Sequence, residues 1–423
     1  MSFGTKQVFS FSLDYFLENN NLTSQVQEIT LPPDNNYQKV VLSDILPRPL
    51  NTSIDSDGNF LAKYRLAPKT SLKIKATGYV EVFAKPQEFI QDKLSPQERR
   101  QYTQPHRYWE TDQAEIKEKA KEFDTPSKIY DFVTDFLKYD EDKLSLDKIE
   151  RLGALGALAK PDEAVCMEFS DLFIAIARGA GIPAKEIIGF AYTQNSRLKP
   201  LSLTSEGDLL HAWPAFWDDA RGWIQVDPTW GSTAGGIDYF NKMDFNHITL
   251  IQRGLSSTYP PPAGSFKRAG EEAKKDVDIG FADELPVATA ISELSLTIPE
   301  KIFSGIPTKV QIKIKNAGTS SIIGQKLSVG TGFLTVSGKL PEAIAILPPL
   351  AQIENIIKLQ NKGFFAQKND TLIVKFADTE IARPVRIVPF YFLLFSPFLI
   401  VSSLVACILI ASGLFVYQKV RKK

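Results

Sequence analysis

The chain has 423 residues, 43% of them hydrophobic and 23% charged, with 49 basic residues against 49 acidic ones. That length exceeds one ordinary hydrophobic core and predicts several domains, while the balanced charge gives no field to draw a polyanion and excludes nucleic-acid binding as a primary role. Two cysteines, Cys166 and Cys407, exclude a disulfide framework, because the second lies in an apolar C-terminal run.

Residues 1–95 read as an N-terminal β domain. Short alternating segments such as VFSFSL, QKVVLSDI, FLAKYRLA and SLKIKATGYVEVFA are separated by Asn, Asp, Gly and Pro clusters. Asp55-Ser-Asp57-Gly58-Asn59 has the look of a calcium-loop opening, but the distal glutamate is missing and two strands flank it, so a hairpin turn is expected. From about residue 96 the spacing turns helical, and Ile129, Phe132, Val133 and Phe136 would share one buried face.

The segment AVCMEFSDLFIAIARGAGIPAK places Phe169, Leu172, Phe173 and Ile176 on one face of a helix closed by Gly179, Gly181 and Pro183. Cys166 falls in its first turn, where unpaired amides and the positive end of the helix dipole favour a thiolate. Downstream, HAWPAFW and GWIQVDPTW flank the turn-rich Asp218-Asp-Ala-Arg-Gly222 and should pair as a hairpin. A turn centred on residue 219 would set His211 opposite Asp227, with Cβ atoms about 4.5–5.5 Å apart. The same parity puts Trp213, Trp217 and Trp223 on that face. A thiol, an imidazole to take its proton and a carboxylate to orient the imidazole form a set suited to acyl transfer from an amide.

Taken together, VCMEFSDLFIAIARGAGIPAK, HAWPAFW and GWIQVDPTW resemble the three motif blocks of the transglutaminase-like superfamily, in the same order. The resemblance covers roughly residues 105–250, and QPHRYWETD and FLKYDEDK also look like the lead-in helices of bacterial and archaeal members. It implies a papain-like core over 96–255, with Cys166 as nucleophile, His211 as general base and acid, and Asp227 as the orienting residue. The implied reaction forms a cysteine thioester from a peptide or glutamine amide, which water resolves in a protease or amidase and an amine resolves in a crosslinking enzyme. Many members carry Gly two residues before the cysteine; here Ala164 keeps the small size.

Trp213, Trp217 and Trp230 are expected to contact a protein or peptide substrate. The backbone amide of Cys166 is one expected oxyanion donor, with Tyr139 the side-chain candidate. No cofactor and no metal ion is expected, since the part before the apolar run has one cysteine and its histidines lack ligand spacing. His106 lies outside the motif blocks, and His247, in FNHITL, reads as a packing residue. Glu168 is expected to point away from the core, solvated or paired with Arg178. The alternative from another class is a catalytically silent peptide-binding or envelope scaffold module.

Residues 256–285, rich in Pro, Gly and charge, read as a linker. Residues 286–387 return to β character, with LSLTIP, KVQIKIKNAG, ENIIKLQ and DTLIVKF at regular intervals, and predict an immunoglobulin-like sandwich. Residues 388–417 carry no charge and are long enough for a transmembrane helix, followed by the basic tail 418–423. The fold class predicted is thus multidomain α+β with one C-terminal membrane helix. By the positive-inside rule the tail is cytoplasmic and the large N-terminal part extracytoplasmic. The first residues lack a signal-peptide pattern, which leaves a tail-anchored protein facing the cytoplasm as the alternative.

Overall fold

The computed structural model describes residues 5–88, 93–145, 149–191, 210–233, 237–270, 274–341 and 343–393, together with 405 and 408–412. The chain divides into two compact units. One takes in residues up to 290 with 318–322 and 346–351, and the other 291–317, 323–345 and 352–423.

The first unit opens with six strands: β1 (Lys6–Asn19), β2 (Gln25–Leu31), β3 (Gln38–Leu46), β4 (Asn51–Ile54), β5 (Phe60–Leu66) and β6 (Thr70–Phe83). Alternation along β1 turns Phe9, Phe11, Leu13, Tyr15 and Leu17 into the core. The Asp55–Asn59 stretch is the tight connection of a hairpin, with Ile54 paired to Phe60. The Asp55 Oδ1 accepts the amides of Asp57 and Asn59 at 2.9 and 2.8 Å, as a turn-forming aspartate does.

Six helices follow in chain order: α1 (Pro96–Gln101), α2 (Ala114–Glu122), α3 (Pro126–Phe136), α4 (Gly153–Ala159), α5 (Cys166–Gly179) and α6 (Pro228–Thr233). Helix α5 is the hub. Phe169, Leu172, Phe173 and Ile176 are fully buried, as the periodicity predicts, and the helix is also buried on its other faces from Glu168 to Arg178. Against it lies an antiparallel sheet of β7 (Ala184–Ala191), β8 (His211–Asp218), β9 (Gly222–Gln225) and β10 (His247–Arg253), in the order β10-β7-β8-β9.

Three sequence expectations are corrected here. The linker contains a strand, β11 (Val277–Ala282), that pairs with β1 from Val8↔Ala282 to Leu13↔Val277 and extends the first sheet to β11-β1-β6-β3. As an edge strand it buries little, so its charges and glycine mask it in the sequence. The break near residue 95 does not divide the unit: Tyr37 and Leu94 pack in one cluster with Tyr102, Trp213, Trp217 and Trp223, and Ile248 and Leu250 of β10 join the core of the first sheet. The β8–β9 hairpin turns about Ala220, pairing Trp217 with Trp223 and Ala215 with Gln225. Asp218 Oδ1 caps the amides of Ala220 and Arg221, and Gly222 takes the left-handed φ of 77° that closes the loop. His211 and Asp227 therefore lie diagonally rather than directly opposite, on the same face.

The second unit holds two four-stranded sheets, one ordered Ser292–Thr297, Thr308–Asn316, Gln352–Gln360, Thr335–Ser337, the other Lys301–Phe303, Thr379–Val388, Lys368–Phe376, Leu327–Gly330. Alternation buries Val310, Ile312 and Ile314 in the first and Leu372, Val374 and Phe376 in the second. The last strand runs to Val388, and the apolar run starts as a short 3-10 turn at Phe390–Leu393, where Phe390 packs on Phe364 and Phe365. Most of the predicted membrane helix and all of the basic tail lie outside the described residues. Among the described residues no helix is long and apolar enough to cross a membrane.

Candidate active site

Three elements bring the predicted residues together. Cys166 is the first residue of α5, at N1, where the amides of the first turn have no intrahelical acceptor. The loop before it is held by Glu168. Its Oε2 accepts the Val165 amide at 3.0 Å and its Oε1 the Leu152 amide at 2.8 Å, while Lys143 Nζ lies 3.3 Å away. Glu168 is thus fully buried rather than solvated. Arg178 has other partners, donating to the carbonyls of Ala184, Gln104 and Gly254 beneath the Trp109 ring. The sequence cannot show this, because the acceptor and the loop it restrains are separated by an irregular connection.

His211 is the first residue of β8 and Asp227 the residue before α6, whose Pro228 occupies the first helical position. The Asp227 carboxylate does two jobs. Its Oδ1 caps α6 by accepting the Trp230 amide at 3.0 Å, and its Oδ2 accepts His211 Nε2–H at 2.8 Å. The Cys166 side chain hydrogen-bonds the same imidazole. Cys166 is half-buried, whereas His211 and Asp227 are buried at 3% and 0% exposure, so the thiol is the accessible member of the set.

Burial alone would lower the His211 value, but the Asp227 carboxylate and then the Cys166 side chain offset it and hold the imidazole up to about 10. Burial works the other way on Asp227, and the two imidazoles beside it, His211 first, keep its carboxyl well below the usual range. Tyr139 lies close enough to Cys166 for the thiol's charge to act on it; burial first, then Cys166, holds the phenol up and protonated.

The tryptophans divide. Trp213 and Trp230 lie on either side of the His211 ring, with centroids 5.7 and 5.6 Å away, both near parallel to it. Trp217 packs against Trp223 at 5.5 Å, in the cluster with Tyr37 and Met243, and makes no ring contact with His211. All three are buried; Trp213 and Trp230 shield the imidazole, and Trp217 packs in the neighbouring cluster. Gly189, opposite His211 on β7, allows this packing: a Cβ there would come 1.9 Å from the Ile248 carbonyl and 2.8 Å from the Trp213 ring.

His247, read from the sequence as packing, belongs to this site. Its Nε2 reaches the same Asp227 Oδ2 at 3.0 Å and its Nδ1 reaches Asp244 Oδ1 at 2.7 Å. The signal in the sequence is the Asp244-Phe-Asn-His247 spacing, weak because nothing in it points to Asp227. His106, half-buried against Trp109, stands apart. His211, Asp227 and His247 place ligand-type atoms within 4.8 Å of one another. Those atoms already bond to one another, and a cation would have to displace the hydrogens of both Nε2 atoms.

A helix-start cysteine packed against an antiparallel sheet that supplies the histidine, with the aspartate just past the sheet at the start of α6, defines a transglutaminase-like arrangement. Residues 111–228 match the family model described as Transglutaminase-like superfamily, and the chain carries a domain of that superfamily. The chain is 34% identical over 68 residues to a protein-glutamine gamma-glutamyltransferase of Pseudomonas aeruginosa, a match covering 15% of this chain and 10% of that relative. This chain thus spans about a tenth of that curated relative's length. Among solved structures it is similar to a candidate cysteine protease from Cytophaga hutchinsonii, at 16% identity and TM-score 0.39, over 66% of this chain and 99% of that one. It is also similar to the periplasmic domain of TgpA from Pseudomonas aeruginosa, at 15% identity and TM-score 0.30, over 55% and 92% of the two chains.

Proposed function

We propose that the protein is a cysteine acyl-transfer enzyme acting on protein or peptide amides, with Cys166 as nucleophile, His211 as general base and acid, and Asp227 as the orienting residue. The observation that carries this reading is the hydrogen-bonded run from Cys166 through His211 to Asp227 Oδ2 at the start of a buried helix. The thiolate sulfur attacks the amide carbonyl, and the developing oxyanion meets the backbone amide of Cys166 at the start of α5. The imidazolium then gives its proton to the leaving amine as the C–N bond breaks, which leaves a thioester on Cys166. Water or a second amine, deprotonated by His211, resolves the thioester to an acid or a new amide.

The membrane anchor is part of the same proposal. Val405, Ile408, Leu409 and Ile410 present exposed apolar side chains, and the uncharged run 388–417 around them supports a span with the basic tail 418–423 on the cytoplasmic side. The two four-stranded sheets of the second unit support its reading as immunoglobulin-like.

The test is trapping. The full chain is incubated with glutamine-containing peptides, with and without hydroxylamine, and Cys166 is followed by mass spectrometry. An acyl adduct on Cys166 that hydroxylamine releases as the hydroxamate, and that disappears in His211→Ala, supports the reading. Peptide binding with no adduct in the parent would favour the silent binding module.

A further inference from the structure

We propose that His247, clamped by Asp244, is a second positioning residue of the site, holding the Asp227 oxygen that faces His211 and dividing that oxygen's hold between two imidazoles. This rests on the reading of Cys166, His211 and Asp227 as the catalytic set.

The chain has three histidines, and two of them meet on one carboxylate oxygen. Their places follow from the sheet. His211 opens β8 opposite Gly189, His247 opens β10 opposite Ala191, and β7 runs between them, so the two rings converge with centroids 5.8 Å apart. Trp213 and Trp230 pack edge-on against His247 at 5.0 and 4.5 Å, which fixes its ring and keeps water away. A histidine that served only to fill space would not need carboxylates on both nitrogens. Here one nitrogen engages Asp227 and the other Asp244, with the His247 side chain 1% exposed.

Two consequences follow. An ionised Asp227 accepts from both Nε2–H groups, so its Oδ2 cannot rotate away from His211 without breaking the His247 bond as well. A second proton on His247 makes both its nitrogens donors, one to each of the Asp227 and Asp244 carboxylates. Burial opposes that charge, and Asp244 and then Asp227 restore it. The negative charge of Asp227 is then shared, and His211 holds its proton less tightly than it would beside an undivided carboxylate. That matters for a group that must take and return a proton in each cycle, because a base pinned far above the working pH transfers poorly.

The groups facing His247 are His211 on β8, Asp227 before α6, Asp244 before β10 and the Tyr239 ring at 6.2 Å. Cys166 acts through His211, and Tyr130 of α3 donates to the Asp227 carbonyl at 3.4 Å.

The experiment measures two quantities in the full chain, in detergent: the iodoacetamide alkylation rate of Cys166 across pH 5–9 and the titration midpoint of His211 by imidazole NMR. The variants are His247→Leu, His247→Gln, which keeps a donor but no charge, and His211→Ala. Asp244→Asn, a change at the half-buried edge, serves if the core variants fail to fold. With Oδ2 still held but no longer shared with a second imidazole, the His211 midpoint should rise by about one pH unit in His247→Gln. At pH 6 His211 is charged in all of these proteins, so alkylation there reads position: it should fall roughly tenfold in His247→Leu, which frees Asp227 Oδ2 to turn, and recover most of the way in His247→Gln, which still donates to it. In Asp244→Asn the His247 midpoint itself should drop. An unmoved His211 midpoint and equal alkylation in folded His247 variants overturn this inference while a collapse in His211→Ala leaves the catalytic set standing. Alkylation indifferent to His211→Ala sinks both.

Discussion

At the residue scale, the proposed chemistry rests on a single oxygen, Asp227 Oδ2, which accepts from His211 at 2.8 Å while Oδ1 of the same group caps α6. Asp227→Asn keeps the shape and can still cap the helix, but removes the charge that opposes burial at His211. A group held up in the folded chain contributes stability fully below its unfolded value and loses it as pH rises through its folded value. The His211 contribution is therefore complete below about 6.5 and fades towards about 10. For activity the sign is the same: the imidazolium must donate to the leaving amine, so turnover should fall as pH rises through about 10 in the parent. In Asp227→Asn that alkaline limb should move down towards the ordinary histidine range, with kcat lower by about 10²- to 10⁴-fold and KM little changed. A pH–rate profile of both proteins checks it, and superimposable limbs would contradict the assignment.

At the element scale, β10 is the strand that carries His247, and it is an edge strand whose outer side would otherwise leave amides and carbonyls unmet. Two side chains from the β region before residue 96 complete it, one at the start of β3 and one in the β4–β5 turn. Gln38 donates to the Thr249 carbonyl and accepts its amide at 2.9 and 2.8 Å, and Asn59 does the same for Gln252 at 2.7 Å each way. Replacing either by Ala strands a buried donor and a buried acceptor, so each change should cost roughly 2–4 kcal/mol in urea unfolding. An exposed-site control such as Lys39→Ala, next to Gln38 on β3, should cost far less. Gly189→Ala should destabilise by about 1–3 kcal/mol and slow Cys166 alkylation, because its Cβ has to push Ile248 or Trp213.

The same elements mark what could be read in the sequence. The α5 stripe and the Cys166, His211 and Asp227 blocks were legible because each sits in a regular element with a period, or next to a turn that fixes parity. Glu168 and His247 were not: what defines them is a partner far along the chain, Leu152 and Asp227, reached across loops that leave no period. Strand β11 was hidden for a related reason, since an edge strand with one half-buried face carries too few apolar residues to stand out among its charges.

At the scale of the whole molecule, the β region before residue 96 is a structural part of the site-bearing unit. It supplies Gln38 and Asn59 to β10, Tyr37 and Leu94 to the cluster under Trp213, and β1 as the partner of β11. A fragment starting at residue 96 should therefore lack a cooperative thermal transition, as followed by circular dichroism, and should lose His211-dependent thiol labelling. A fragment that unfolds cooperatively and labels like the full chain would show that the first sheet is dispensable.

The measurement that bears most directly on the central claim is the rate of Cys166 alkylation in the full chain at pH 6, parent against His211→Ala. The account predicts rapid labelling in the parent and a drop of at least tenfold in the variant, because the imidazole beside the thiol holds it as the nucleophile. Equal and slow labelling in two folded proteins would contradict it and make Cys166 a structural thiol.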